Sequence, residues 1–221
     1  MTVHDVAASL PDLPQLHDLC LSIAVAEAVL NHGGAYRYYT FDTQGRNGEQ
    51  WFSMRNGGGD EYDVVFSAAG AYIRGFDHES AMSPYAESEV WPGVLDMVPE
   101  AFRSAVEEPA FRDEDMPMVT CCLWREKKDD RWRTGRIDFP EGERDPDGSG
   151  WMFAMLTERT PQAFQSWAKD YYERPVDLDA VRDIYERRPL DEDIVRRLNP
   201  KISLADVRDE IRATGYPVRS S

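Results

Sequence analysis

The sequence predicts an α+β fold built on an antiparallel sheet. Short runs rich in aromatic and branched residues recur between residues 36 and 76, separated by Gly, Asn and Asp clusters. One apolar-faced helix precedes them, and from Thr160 the chain turns to short capped helices. Strands and helices come in separate blocks, without the alternation that a parallel nucleotide-binding sheet requires.

Residues 1–12 are expected to be a flexible leader. Over 13–32, Leu16, Leu19, Cys20, Ile23, Ala26 and Leu30 recur at helical spacing, with Asp12 as N-cap and Gly33-Gly34 as the stop. The strands fall at 36–42, 50–55, 61–67 and 71–76. Their connectors, 43–48, 56–60 and 68–70, are hairpin-sized, which makes a four-strand meander. Segment 91–107 reads as a turn and then a helix with Leu95, Val98, Phe102 and Val106 inward; Pro99 must sit in its first turn or break it. A second strand group is predicted at 118–125, 131–138 and 151–156, the last preceded by the loop Asp145-Pro146-Asp147-Gly148. Thr160 and Pro161 open the helical part. Further helix starts fall at Asp177 and at Ser203, whose Asp206 completes a capping box, and Ile194 and Leu198 mark a helix between them. Helices this short must dock on the sheet or on one another. The expected division is a sheet domain, 13–158, and a docked helical subdomain, 159–221.

The chain has 221 residues, enough to bury a sizeable core, and 42% of them are hydrophobic. Its 41 acidic against 25 basic residues give a formal charge of -16. That field repels nucleic acid and anionic membranes and speeds association with a basic protein, the expected partner. Cys20, Cys121 and Cys122 make no disulfide framework, and neighbours on a strand point to opposite faces. The thiols are read as reduced and mostly buried, Cys121 and Cys122 as one buried and one partly buried. The N-terminal residues lack the basic region of a signal peptide, and no segment reads as a membrane span, so the expected compartment is cytoplasmic.

Several segments carry a resemblance: Ser53-Met54-Arg55-Asn56-Gly57-Gly58-Gly59-Asp60-Glu61-Tyr62, 75–80, 91–95, Pro109-Ala110-Phe111, Cys122-Leu123-Trp124-Arg125, 145–149 and Leu198-Asn199-Pro200. Over about 48–217 the chain resembles a family of uncharacterised bacterial proteins. The resemblance implies a bacterial cytosolic protein and brings no catalytic residues with it.

The most chemically loaded stretch is Gly75-Phe76-Asp77-His78-Glu79-Ser80 at a predicted strand end. In a meander, the 56–60 loop, the end of the fourth strand and the start of the first share one end of the sheet. That topology gathers His32, Asp60, Glu61, Asp77, His78 and Glu79 at one rim, with Arg55 beside them and segment 32–35 contributing its start. Carboxylates with an imidazole suit a divalent metal or acid/base work; a solvated rim of turn and cap residues uses the same types. No His-x-x-x-His or spaced Cys pair supports a metal, and no cofactor signature is present. Asn56-Gly57-Gly58-Gly59 lacks the helix of a phosphate loop, and Asp145-Pro146-Asp147-Gly148-Ser149 lacks the bidentate Glu of a calcium loop, Leu156 standing in its place. The leading expectation is a non-enzymatic macromolecule-binding protein, an immunity-type, toxin-neutralising role being one version. Its binding residues are Arg55, Asp60, Glu61, Asp77, His78, Glu79 and Trp91. The alternative is a hydrolase or metal-binding enzyme using Asp60, Asp77, His78 and Glu79.

Overall fold

Asp12 starts the central helix of the molecule. In the computed structural model, which describes residues 1–34, 36–45 and 48–219, its carboxylate accepts the Gln15 N–H at 2.9 Å. Helix α2, Leu13–Leu30, follows as the periodicity predicts. From Leu19 to Leu30 it is buried on every side rather than on one face. Strands β1, Tyr39–Asp42, and β2, Gln50–Arg55, cover one flank, and the C-terminal helices over Leu178–Tyr185, Glu192–Leu198 and Leu204–Ala213 cover others. Burial all round explains its composition: α2 is long and apolar enough to cross a bilayer, which corrects the sequence reading, yet most of it is buried inside the protein.

The meander is present. Strand β3, Glu61–Phe66, pairs antiparallel with β2, and β4, Gly70–Phe76, pairs antiparallel with β3; Arg55 stands opposite Glu61, and Glu61 opposite Phe76. The first strand begins at Tyr39 rather than at residue 36. Of the 43–48 connector, residues 46 and 47 lie outside the described residues, as does Ala35 of the 32–35 segment.

Segment 91–107 is not one helix. After the single-turn α3, Pro84–Glu87, the chain runs through turns to Pro99, which caps a 3-10 turn at Glu100–Phe102, and then forms α4, Arg103–Val106. A second 3-10 turn, Pro109–Phe111, leads into the two-residue strands β5, Arg112–Asp113, and β6, Met116–Pro117. This excursion covers the sheet face opposite α2: Phe102 stacks on Tyr72, Phe111 lies against Trp51, and the Arg74 guanidinium sits 4.2 Å above the Phe111 ring.

Strand β7, Cys121–Glu126, pairs antiparallel with β4 and completes a five-strand sheet ordered β1-β2-β3-β4-β7. The expected second strand group therefore reduces to one member of the first sheet. Segment 131–138 gives only the bridge between Trp124 and Arg133. Segment 151–156 is helical, within α5, Ser149–Met152, and α6, Ala154–Glu158. The loop before it supplies the reason. Asp145 accepts the N–H groups of Gly150 and Trp151 at 2.9 and 3.0 Å, and Asp147 accepts that of Ser149 at 3.0 Å. Such capping starts a helix where hydrophobic pattern alone suggests a strand.

The expected flexible leader is helix α1, Val3–Ser9, closed by a capping box between Thr2 and Asp5. Val3 and Val6 are fully buried, and the Val3 N–H donates to buried Asp147 at 2.8 Å. A stretch too short to show periodicity is thus held by tertiary contacts.

The C-terminal helices are α7, Pro161–Tyr171, α8, Leu178–Tyr185, α9, Glu192–Leu198, and α10, Leu204–Ala213. Thr160, Asp177 and Asp191 each accept an N–H of the first turn, and Ser203 and Asp206 form the capping box. The architecture is α+β.

Candidate functional site

The β2–β3 turn is built by Asn56. Its Oδ1 accepts the N–H groups of Gly58 and Asp60 at 2.7 and 3.1 Å, and its Nδ2 donates to Asp60 Oδ2 at 2.5 Å. Gly59 has φ +110°, a conformation side chains rarely adopt, and lets the turn approach the His78 ring. The meander brings the end of β4 to the same place. Asp60 Oδ1 accepts the His78 backbone N–H at 3.0 Å and lies 2.6 Å from His78 Nδ1. Asp77 is fixed by three groups. Its Oδ1 accepts the Glu79 N–H at 3.0 Å, its Oδ2 accepts the Trp151 indole N–H at 2.8 Å, and its own N–H donates to Thr120 Oγ1 at 3.3 Å. One ligand atom from each of Asp60, Asp77 and His78 falls within 4.8 Å of the others.

Burial opposes ionisation of Asp60, but the hydrogen bonds from His78 and Asn56 outweigh it and hold the carboxyl below its usual range. The hydrogen bond to Asp60 raises His78 above the ordinary imidazole value, with Glu79 and Asp77 adding to the effect. Because Asp60 takes Nδ1, Nε2 is the nitrogen left to face a ligand, and it lies 3.9 Å from the exposed Glu79 carboxylate. The group can therefore ligate a cation or exchange a proton at Nε2. It has no activated hydroxyl: Ser80 Oγ donates to the Pro146 carbonyl at 2.6 Å, and Ser83 Oγ caps α3.

Four of the expected binding residues belong together: Asp60, Asp77, His78 and Glu79. Arg55 and Glu61 stand at the same end of the sheet but serve another group. Arg55 Nε lies 2.9 Å from Glu61, its Nη2 is 2.9 Å from Asp63, and Glu61 also pairs with buried Arg74. Asp63 is held further by Ser53 at 2.6 Å. This network neutralises itself on the sheet face under Phe111. His32 does not join the rim; it acts on Asp206 of α10, whose carboxyl is held low chiefly by Ser203 and further by His32.

Trp91 lies at a separate cavity of about 500 Å³, lined also by Glu89, Asp96, Arg136 and Asp138. Its indole N–H donates to the Asp138 carbonyl at 3.0 Å. Cys121 and Cys122 are both fully buried and free, so the expectation of one partly buried thiol is corrected. β7 is covered on both faces, not on one.

Sequence reasoning brought Asn56 to the rim with its turn but missed its hold on Asp60, and it missed Trp151 there altogether. Asn56 stood in a Gly-rich turn, where an Asx hydrogen bond was the signal to follow. Hydrophobic pattern puts Trp151 on a strand, and only the capping role of Asp145 moves it to a helix. No known family model, curated protein or solved structure matches this chain.

Proposed function

We propose that this is a cytosolic, non-enzymatic protein that binds a basic macromolecular partner, as an immunity-type, toxin-neutralising protein does. The observation that carries the reading is the Trp91 cavity. Among the described residues, the carboxylates of Glu89, Asp96 and Asp138 around it make no ion pair, and Arg136 is the one basic residue on its wall. A Lys or Arg side chain entering it meets an indole ring and unpaired carboxylates, the combination that favours an organic cation. The chain's charge of -16 supplies the long-range attraction. The test is capture from the cells of origin by the wild type and by the variant Glu89→Gln/Asp96→Asn/Asp138→Asn. A basic protein retained by the first and lost by the second is expected, with an association rate that falls as salt is added. A partner without basic excess, or equal retention by the folded variant, rejects the reading.

A second reading rests on the Asp60, Asp77 and His78 donor atoms. Two carboxylates and an imidazole form a mixed oxygen and nitrogen set of the kind that takes Mn²⁺ or Zn²⁺, and open positions on such an ion would carry a hydrolytic water. Melting in the presence of either cation tests it: a dose-dependent rise that Asp77→Asn removes supports the centre, and no rise rejects it.

A further inference from the structure

A cavity of about 660 Å³ lies between α1, the outer edge of β7 and segment 130–134. Its charge is opposite to that of the molecule. Arg125, Arg131 and Arg133 line it with Asp130, and the Asp129 carboxylate pairs with Arg133, which leaves an excess of one positive charge in a chain whose net charge is -16. The three arginines share a geometric habit. Arg125 Nε donates to the Asp129 carbonyl at 3.3 Å, Arg133 Nε lies 3.3 Å from the Asp129 carboxylate, and Arg131 Nε lies 3.9 Å from Asp130. Each therefore contacts the protein through Nε. Among the described residues, the terminal nitrogens of all three guanidinium groups are left without an acceptor. These are the atoms that fork onto a phosphate or carboxylate.

The apolar part of the wall carries an independent sign. Trp132 is buried and its indole N–H is used, donating to the Pro11 carbonyl at 2.6 Å. Trp124 is only 3% exposed and also lines the cavity. No acceptor within the described residues takes its indole N–H, although that nitrogen is not among the sealed, partnerless polar atoms of the interior. A buried tryptophan whose donor reaches open space at a cavity offers that donor to a ligand. The bridge between Trp124 and Arg133 sets the unsatisfied N–H and a guanidinium on neighbouring chain segments.

We infer that this cavity binds a small organic anion: a flat apolar body carrying a phosphate or a carboxylate. The arginines take the anionic group, Trp124 adds a neutral donor, and the two indoles face the body. The site is separate from the Trp91 cavity and from the Asp60–His78 rim, and it stands whether or not a basic partner exists.

The test uses four probes on the full chain, followed by thermal melting and tryptophan fluorescence. AMP carries phosphate on an aromatic body and 4-hydroxybenzoate carries carboxylate on one; adenosine lacks the anion and inorganic phosphate lacks the body. Saturable binding of AMP or 4-hydroxybenzoate is expected, and whichever binds more tightly identifies the anionic group. Adenosine, which forfeits the charge-assisted contacts, and inorganic phosphate, which forfeits the contact of an aromatic body with the indoles, are each expected to bind roughly tenfold more weakly or worse. Arg125→Gln/Arg131→Gln is expected to weaken the better ligand by roughly tenfold or more. Should the double variant unfold, Arg131→Gln alone gives a folded reagent, because that side chain is largely exposed and its ion pair is long. The inference is overturned if neither AMP nor 4-hydroxybenzoate binds below about 10 mM, a weak limit even for small ligands. Adenosine binding as tightly as AMP, with 4-hydroxybenzoate not binding, overturns it too, as does wild-type affinity in a folded arginine variant.

Discussion

His78 Nδ1 lies 2.6 Å from Asp60 Oδ1, across the gap between the β2–β3 turn and the end of β4. This contact ties two segments that are separate in sequence, and it couples the protonation of both residues. Raised in the folded state, His78 gives stability that is fully present below its unfolded value of about 6.5 and is lost as pH rises through the higher folded value. Asp60 is lowered, so its contribution is present above its unfolded value of about 3.9 and is lost as pH falls through the lower folded value. The pair therefore supports the rim most between about pH 4 and 6.5. A proton NMR titration of the His78 ring is expected to give a midpoint above 6.5, and Asp60→Asn is expected to move it back. An unchanged midpoint in that variant would remove Asp60 as the cause.

Gly148 tests how Asp77 is held. It has φ +71°, and a Cβ added there would stand 2.5 Å from the Cβ of Asp77. Gly148→Ala is expected to cost about 1–3 kcal/mol, from backbone strain plus displacement of Asp77. It should also break the indole bond from Trp151, seen as a shift in tryptophan emission. A variant as stable as the wild type, with unchanged emission, would show that the loop yields freely.

Arg74 is 2% exposed and stands between Glu61, Asp63 and the Met118 carbonyl, to which it donates at 2.9 Å. Arg74→Met keeps much of the volume but removes the charge that faces Asp63, itself 1% exposed. The expected loss is about 3–5 kcal/mol, because a buried carboxylate is left with less compensation. Chemical denaturation measures it, and Arg74→Met/Asp63→Leu should recover part of the loss. A loss under about 1 kcal/mol, the range of a surface pair, would mean that Arg55 alone compensates Asp63.

How much of this was legible in the sequence depended on where the determining contacts lie. The meander could be read because strands of four to seven residues alternate with turn residues, and each pairs with its neighbour in sequence. Asp12, Thr160, Asp177 and Ser203 could be read as caps because a cap acts within three residues of itself. The start of α1 could not, since its burial depends on Asp147, far along the chain. Nor could the helicity of 151–156, which rests on side chains reaching forward from the preceding loop. The rim was legible in Asp60, Asp77, His78 and Glu79 because meander topology alone places both segments at one end. Glu61 and Arg55 sit at that end too, but whether they serve the rim depends on which sheet face each side chain takes and on Arg74. Trp91 has no such topological anchor, and nothing in the residues around it separates it from the rim.

Cys20, Cys121 and Cys122 are free and buried. Burial raises all three thiols, and Cys122 is pushed up to about 12. Native protein is expected to be inert to a thiol reagent at neutral pH and to expose all three groups on unfolding. Rapid labelling of any one in the native state would show that its element opens locally.

The sheet order β1-β2-β3-β4-β7 also sets a schedule. The first four strands close by short turns, whereas β7 must wait for the whole of segment 77–120 to be looped out and returned, an entropic delay that grows with the length of the loop. Cys121 and Cys122 ride on that last strand and clock its arrival. In refolding, backbone amides of Gln50–Phe76 should gain exchange protection before these two thiols lose their reactivity. The interval between the two events is the time the chain spends with one edge of its sheet still open to another molecule.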